Sequence, residues 1–85
     1  MNIPEEGLID FYADWCAPCK MMEPVVEKLK NEGINVVKID TEKDAEMVQY
    51  FDINSIPTFV AIKDGKEVGR AIGAFPEKKL RELLK

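Results

Sequence analysis

Residues 10–20 read DFYADWCAPCK, a short apolar stretch that runs into the only tryptophan of the chain, Trp15, and its only two cysteines, Cys16 and Cys19. A disulfide between them would close too short a loop to matter as a staple. Cross-linking four residues removes about 2 kcal/mol of unfolded-state entropy, against roughly 3 kcal/mol for a fifteen-residue loop. Small domains that depend on disulfides also carry cysteine above about 8% of the chain, far beyond two in 85. A structural zinc site needs four Cys or His ligands. With two Cys and no His, four thiolates would have to come from two chains sharing one ion. A redox pair is the third reading, and it is the one a single Cys-x-x-Cys takes inside a βαβ pattern. The flanking sequence therefore decides.

Working outward, Leu8–Ala13 is an apolar run broken by Asp10, as in a buried strand. From Ala17 to about Asn31, Met21, Met22, Val25, Val26 and Leu29 recur at helical spacing and are expected in the core, with Gly33 as the stop. Pro18 suits a first helical turn, whereas Pro24 falls inside the helix and should kink it. Ile34–Asp40 is rich in β-branched residues and reads as a second strand. Lys43–Phe51 reads as a short helix with Met47, Val48 and Phe51 on its apolar side. PTFVAIKDGKEVGRAI, residues 57–72, reads as two strands joined at Asp64-Gly65, a strong hairpin signal. The segment from Pro76 to Lys85 closes the chain as a helix with Leu80, Leu83 and Leu84 on one face.

The order is βαβαββα, an α/β fold. Right-handed crossover makes the first two strands parallel and adjacent, and the three helices pack on both faces of a four-stranded mixed sheet. Residues 1–85 are expected to form one domain, burying about 60–65% of the unfolded surface. A net charge of −4 and no basic patch interleaved with aromatics argue against a nucleic-acid partner. The first residues, MNIPEEGLIDFYAD, hold neither a basic n-region nor an apolar run of signal or membrane length. No membrane partner and a cytoplasmic location are expected, and in that compartment a lone cysteine pair is more often catalytic.

In this order Cys16 falls where the first strand gives way to the first helix. Unpaired N–H groups and the positive end of the helix dipole stabilise an anion there, so the Cys16 thiolate should form below the free-thiol pKa of about 8.5. Cys19, one turn inside the helix, is expected to be the more enclosed thiol. One cysteine attacks and the other resolves.

WCAPCK after DFYAD, SIPT after a second βα unit and GAF after the hairpin together resemble the thioredoxin family over nearly the whole chain. Two departures accompany the resemblance. Few residues precede Gly7, so the strand and helix that begin ordinary thioredoxins are expected to be missing, leaving a glutaredoxin-like core layout. Ala17 stands where thioredoxins usually have glycine.

The resemblance implies a thioredoxin fold and reduction of protein disulfides, with Cys16 as nucleophile, Cys19 as resolving thiol and a Cys16–Cys19 disulfide in the oxidised form. It makes Pro57 a cis-proline opposite the pair. Trp15, Ala17, Pro18, Ile56, Pro57, Gly73 and Ala74 would form the shallow groove for an extended substrate chain. Thioredoxins also carry a buried aspartate at the place of Asp10, which would accept the Cys19 proton; burial should raise its pKa. The lysine that often offsets such an aspartate aligns with Val36, and Lys38, two residues along, is expected to lie too far off. The implied partners are disulfide-containing proteins and a thioredoxin reductase or equivalent donor, for a monomer that needs no cofactor and no metal. Pro18, unlike a histidine there, adds no charge to stabilise the thiolate. The expected potential is therefore nearer thioredoxin's roughly −270 mV than the roughly −120 mV of a strong disulfide oxidant. Two rival readings are a glutathione-dependent, glutaredoxin-like oxidoreductase and a binding module that borrows the fold within a larger assembly.

Overall fold

A computed structural model describes residues 1–85. The chain runs β1 (Glu6–Tyr12), α1 (Ala17–Asn31), β2 (Val36–Asp40), α2 (Ala45–Tyr50), β3 (Thr58–Lys63), β4 (Lys66–Ile72) and α3 (Glu77–Leu83), the expected βαβαββα order. The sheet is ordered β2-β1-β3-β4. β1 pairs parallel with β2 and antiparallel with β3, and β4 closes the hairpin on β3. The two central strands are covered on both faces, which is why they read as apolar runs and not as alternating ones.

Side chains alternate across β1 and divide the core into two layers. Leu8, Phe59 and Ala71 pack beneath Met22, Val26 and Leu29 of α1 and Leu80 of α3. On the other face Ile9, Phe11, Val60 and Ile62 pack beneath Met47 of α2 and Phe51 at its C-terminal cap. Asp10 shares the parity of Leu8, so β1 delivers its carboxylate to the α1 layer.

Element boundaries shift where hydrogen bonding outweighs hydropathy. β2 starts at Val36, not Ile34, because the Ile34 N–H donates to the Leu29 carbonyl at 3.2 Å and finishes the turn after α1. α2 starts at Ala45, not Lys43, because the Asp44 carboxylate caps it by accepting the Met47 N–H at 3.1 Å. Pro76 precedes α3 as its cap, with ψ 151°, instead of occupying the first turn. Met21 is 72% exposed and not in the core, while Met22 is buried; neighbours on a helix point about 100° apart. The hairpin turns at Asp64 and Gly65, both at positive φ (54° and 75°), the two-residue turn expected from the Asp-Gly pair.

Of the chain's five glycines, Gly7 has the closest backbone neighbour. It adopts φ 141°, and a Cβ on it would overlap the Asn35 carbonyl oxygen. That oxygen accepts the Leu8 N–H at 2.9 Å, and Asn35 Nδ2 donates to the Glu6 carbonyl at 3.1 Å. The α1–β2 loop is thereby seated on the start of β1, which places β2 beside it in register.

Candidate active site

Between the end of β1 and the start of α1, residues 13–16 turn the chain upward out of the sheet. The Cys16 N–H donates to the Ala13 carbonyl at 3.1 Å, and Cys16 itself is the N-cap of α1, with extended backbone (φ −86°, ψ 109°). Helix starts leave N–H groups without partners. Here one of them, the Cys19 N–H, donates to Cys16 Sγ at 3.2 Å. Pro18 occupies the first turn, where its missing N–H costs nothing. Cys16 and Cys19 are joined as a disulfide, their Cα atoms 5.3 Å apart.

The expected difference in exposure between the two cysteines is absent: Cys16 is 4% and Cys19 7% exposed. Both pack with Ala13 against Tyr12 and Ile56, and the bonded sulfurs shield one another. The asymmetry lies in their surroundings. Cys16 Sγ receives the helix-start N–H, whereas Cys19 borders a cavity of about 30 Å³ that also opens onto Asp10. A cavity needs only about 10–15 Å³ to hold a water, so this space is large enough for one.

Asp10 is 5% exposed at the centre of the sheet. Burial pushes its pKa up from 3.8 to about 6, against the pull of the Lys38 ammonium and with a smaller push from Glu23. The expectation about Lys38 is corrected by the register of the parallel pair. Leu8 faces Val36 across β1–β2, and Asp10 faces Lys38. The Lys38 ammonium is held 4.7 Å above the centre of the Tyr12 ring, as a cation–π contact, and borders the Asp10 cavity.

Because the folded-state pKa lies above the unfolded one, stability linked to Asp10 is complete below pH 3.8 and is lost as the pH rises through about 6. A rise of that size corresponds to about 3 kcal/mol at neutral pH. Asp10→Ala is therefore expected to be more stable than the parent by about 1–3 kcal/mol near pH 8, allowing for the small void it leaves. Near pH 4 that advantage should be gone, leaving the variant no more stable than its parent and less so by the cost of the void. Thermal melts from about pH 4 to 9 measure this, and a variant no more stable than its parent near pH 8 contradicts burial as the origin of the shift.

Of the remaining predicted residues, Ile56 packs against the two cysteines, and Trp15, Ala17 and Pro18 adjoin them in the chain. Trp15 is 69% exposed, and Ala17 and Pro18 are exposed on the first turn of α1. The Ile56–Pro57 bond is cis. The Gly73 N–H donates to the Pro57 carbonyl at 2.7 Å and draws Gly73 and Ala74 against this loop. One expected groove residue differs: the Pro57 side chain is fully buried, so the surface there is formed by half-exposed Ile56 and Gly73 and by exposed Ala74. Ile72, next to Gly73, is also exposed. Tyr12, Glu23 and Lys38 were not anticipated at the site. Only the strand parity shared by Asp10 and Lys38 pointed to any of them.

The thioredoxin family model matches residues 2–85. A thioredoxin of Bacillus subtilis is 41% identical over 84 residues, covering 93% of this chain and 81% of the relative. One of Chlamydia trachomatis is 40% identical over 79 residues, covering 91% and 78%. Among solved structures, a mutant thioredoxin from Halobacterium salinarum superposes with TM-score 0.88 at 38% identity, over 94% of this chain and 72% of that one. Fasciola hepatica thioredoxin gives 0.85 at 41%, over 94% and 78%. With the four-stranded sheet and the Cys16–Cys19 pair at the start of α1, these matches show that the chain belongs to the thioredoxin family of dithiol-disulfide oxidoreductases.

Proposed function

We propose that the chain reduces disulfides in proteins, with Cys16 attacking, Cys19 resolving and Asp10 accepting the Cys19 proton. The observation that carries this reading is the unequal setting of the two sulfurs: Cys16 Sγ caps α1 and accepts an N–H, while Cys19 adjoins the buried carboxyl. A helix start and a donated hydrogen bond favour a sulfur anion, so the reduced Cys16 is the better nucleophile. Its thiolate attacks one sulfur of the substrate disulfide, the substrate S–S bond breaks, and the departing sulfur leaves as thiolate. Cys19 then loses its proton to Asp10 and attacks Cys16 Sγ. The mixed disulfide breaks, the second substrate sulfur leaves and takes up a proton, and the Cys16/Cys19 dithiol has given two electrons to the substrate and become the Cys16–Cys19 disulfide.

An outside dithiol reductant must reopen that disulfide, which makes a thioredoxin reductase or equivalent donor the second partner. Trp15, Ala17, Pro18, Ile56, Gly73 and Ala74 offer an apolar surface around the sulfurs, with Pro57 beneath it, suited to an extended chain bearing a disulfide. No helix is long and apolar enough to cross a membrane. We place the protein in the cytoplasm as a monomer acting on neither nucleic acid nor membrane; its net charge of −4 disfavours a nucleic-acid partner.

Reduction of insulin disulfides tests the function. The protein should accelerate it with dithiothreitol or with a thioredoxin reductase and NADPH, and far less with glutathione and glutathione reductase. Preference for the glutathione system would favour the glutaredoxin-like reading, and no acceleration with any donor would favour a binding module.

A further inference from the structure

Two spaces meet at the side of α1. One is the small cavity that contains Asp10 and Cys19, and the other is an open groove of about 280 Å³ that continues along Val26, Glu27 and Lys30. Glu23 and Lys38 line both spaces and so stand where the cavity gives onto the surface. Their placement follows from simple geometry. Glu23 is four residues after Cys19 and lies on the same face of α1. Lys38 faces Asp10 across the parallel β1–β2 register, its ammonium fixed over Tyr12.

We propose that Glu23 is a positioning residue for the resolving step: its negative charge at the cavity mouth opposes Lys38 and raises the pH range over which Asp10 accepts the Cys19 proton. This rests on the reading of Asp10 as that acceptor. Four charged side chains border the cavity with Asp10. Lys20 and Glu23 border the cavity from α1, Asp14 from the loop after β1, and Lys38 from β2; on β3 the residue opposite Asp10 is Phe59, which carries none. Of these, Lys38 favours the ionised carboxylate and Glu23 the protonated one. Burial does most to keep Asp10 protonated, Lys38 pulls the other way, and Glu23 partly offsets that pull. An exposed helix glutamate ordinarily does nothing beyond solvating its surface. Glu27, one turn further and outside the cavity, is the residue in this chain with that ordinary role.

The test is a carboxyl-carbon NMR titration of Asp10 in the oxidised protein, beside a stopped-flow pH profile of the resolving step. In the latter, reduced protein reacts with an aromatic disulfide reagent and the second thiolate released reports attack by Cys19. The Asp10 midpoint, near 6 in the parent, should fall by about half a pH unit in Glu23→Gln, roughly a threefold loss of proton affinity. It should rise in Lys38→Gln and stay in place in Glu27→Gln. The pH profile of the resolving step should move with the midpoint. An unmoved midpoint in Glu23→Gln, or an equal shift in Glu27→Gln, overturns the placement of Glu23. A midpoint that moves while the kinetic profile stays put overturns instead the reading of Asp10 as acceptor.

Discussion

Cys16→Ser is expected to lose catalysed reduction of insulin disulfides by at least ~10³-fold, because a serine hydroxyl supplies no thiolate at neutral pH and the first bond to substrate sulfur never forms. Cys19→Ser should lose turnover as completely but fail one step later. Its Cys16 still attacks, nothing displaces the substrate, and a covalent mixed disulfide through Cys16 accumulates. Neither loss can be assigned to unfolding. The four-residue loop that the disulfide closes accounts for about 2 kcal/mol at most, and the sheet core of Leu8, Ile9, Phe11, Phe59 and Val60 is untouched. Mass spectrometry of each variant after exposure to a disulfide peptide separates the two outcomes. An adduct on Cys19 in Cys16→Ser, with none on Cys16 in Cys19→Ser, would reverse the assignment.

The second large effect concerns folding. Gly7→Ala is expected to cost about 3 kcal/mol or more, combining an unfavourable positive φ with a Cβ forced onto the Asn35 carbonyl. The contact cannot relax by moving a flexible tip, because the neighbouring atom is backbone and already accepts the Leu8 N–H. Gly33 provides the comparison. Its φ is 97° but nothing lies within 4 Å of where a Cβ would stand, so Gly33→Ala should cost only about 1–2 kcal/mol. Urea unfolding of both variants measures the difference, and equal losses would show that the close approach of Asn35 to β1 contributes nothing.

Much of the architecture was legible because local signals agreed. The apolar run around Asp10, the helical recurrence after Cys16 and the Asp64-Gly65 turn each indicated one element, and their order left one plausible sheet. What escaped was whatever depends on how two segments meet. The face of β2 that carries Lys38 follows from alternation, but which residue lies opposite Asp10 depends on register, and register is set by the seating of Asn35 on Gly7. Lys38 was consequently read as two residues out of reach. The exposure of Cys16 failed for a related reason: the position at the helix start was right, yet Tyr12 and Ile56 close over the disulfide from segments on either side. The Ile56–Pro57 bond is cis as expected, but the Pro57 ring turns inward, which sequence order does not reveal. Glu23 carried no signal of its own, since an exposed glutamate on a helix resembles its many solvated neighbours until Asp10 is seen beneath it.

The difference in reactivity between the two thiols is the property on which the whole mechanism turns, and it can be measured directly. The reduced protein is treated with a sub-stoichiometric amount of iodoacetamide at a series of pH values from about 5 to 9, and the modified cysteine is located by peptide mapping. Stabilisation of the Cys16 sulfur by the helix start predicts alkylation at Cys16 almost alone, already rapid well below the free-thiol pKa of about 8.5, with Cys19 modified only slowly and at higher pH. Preferential modification of Cys19, or equal modification of both with a common midpoint near 8.5, would contradict it.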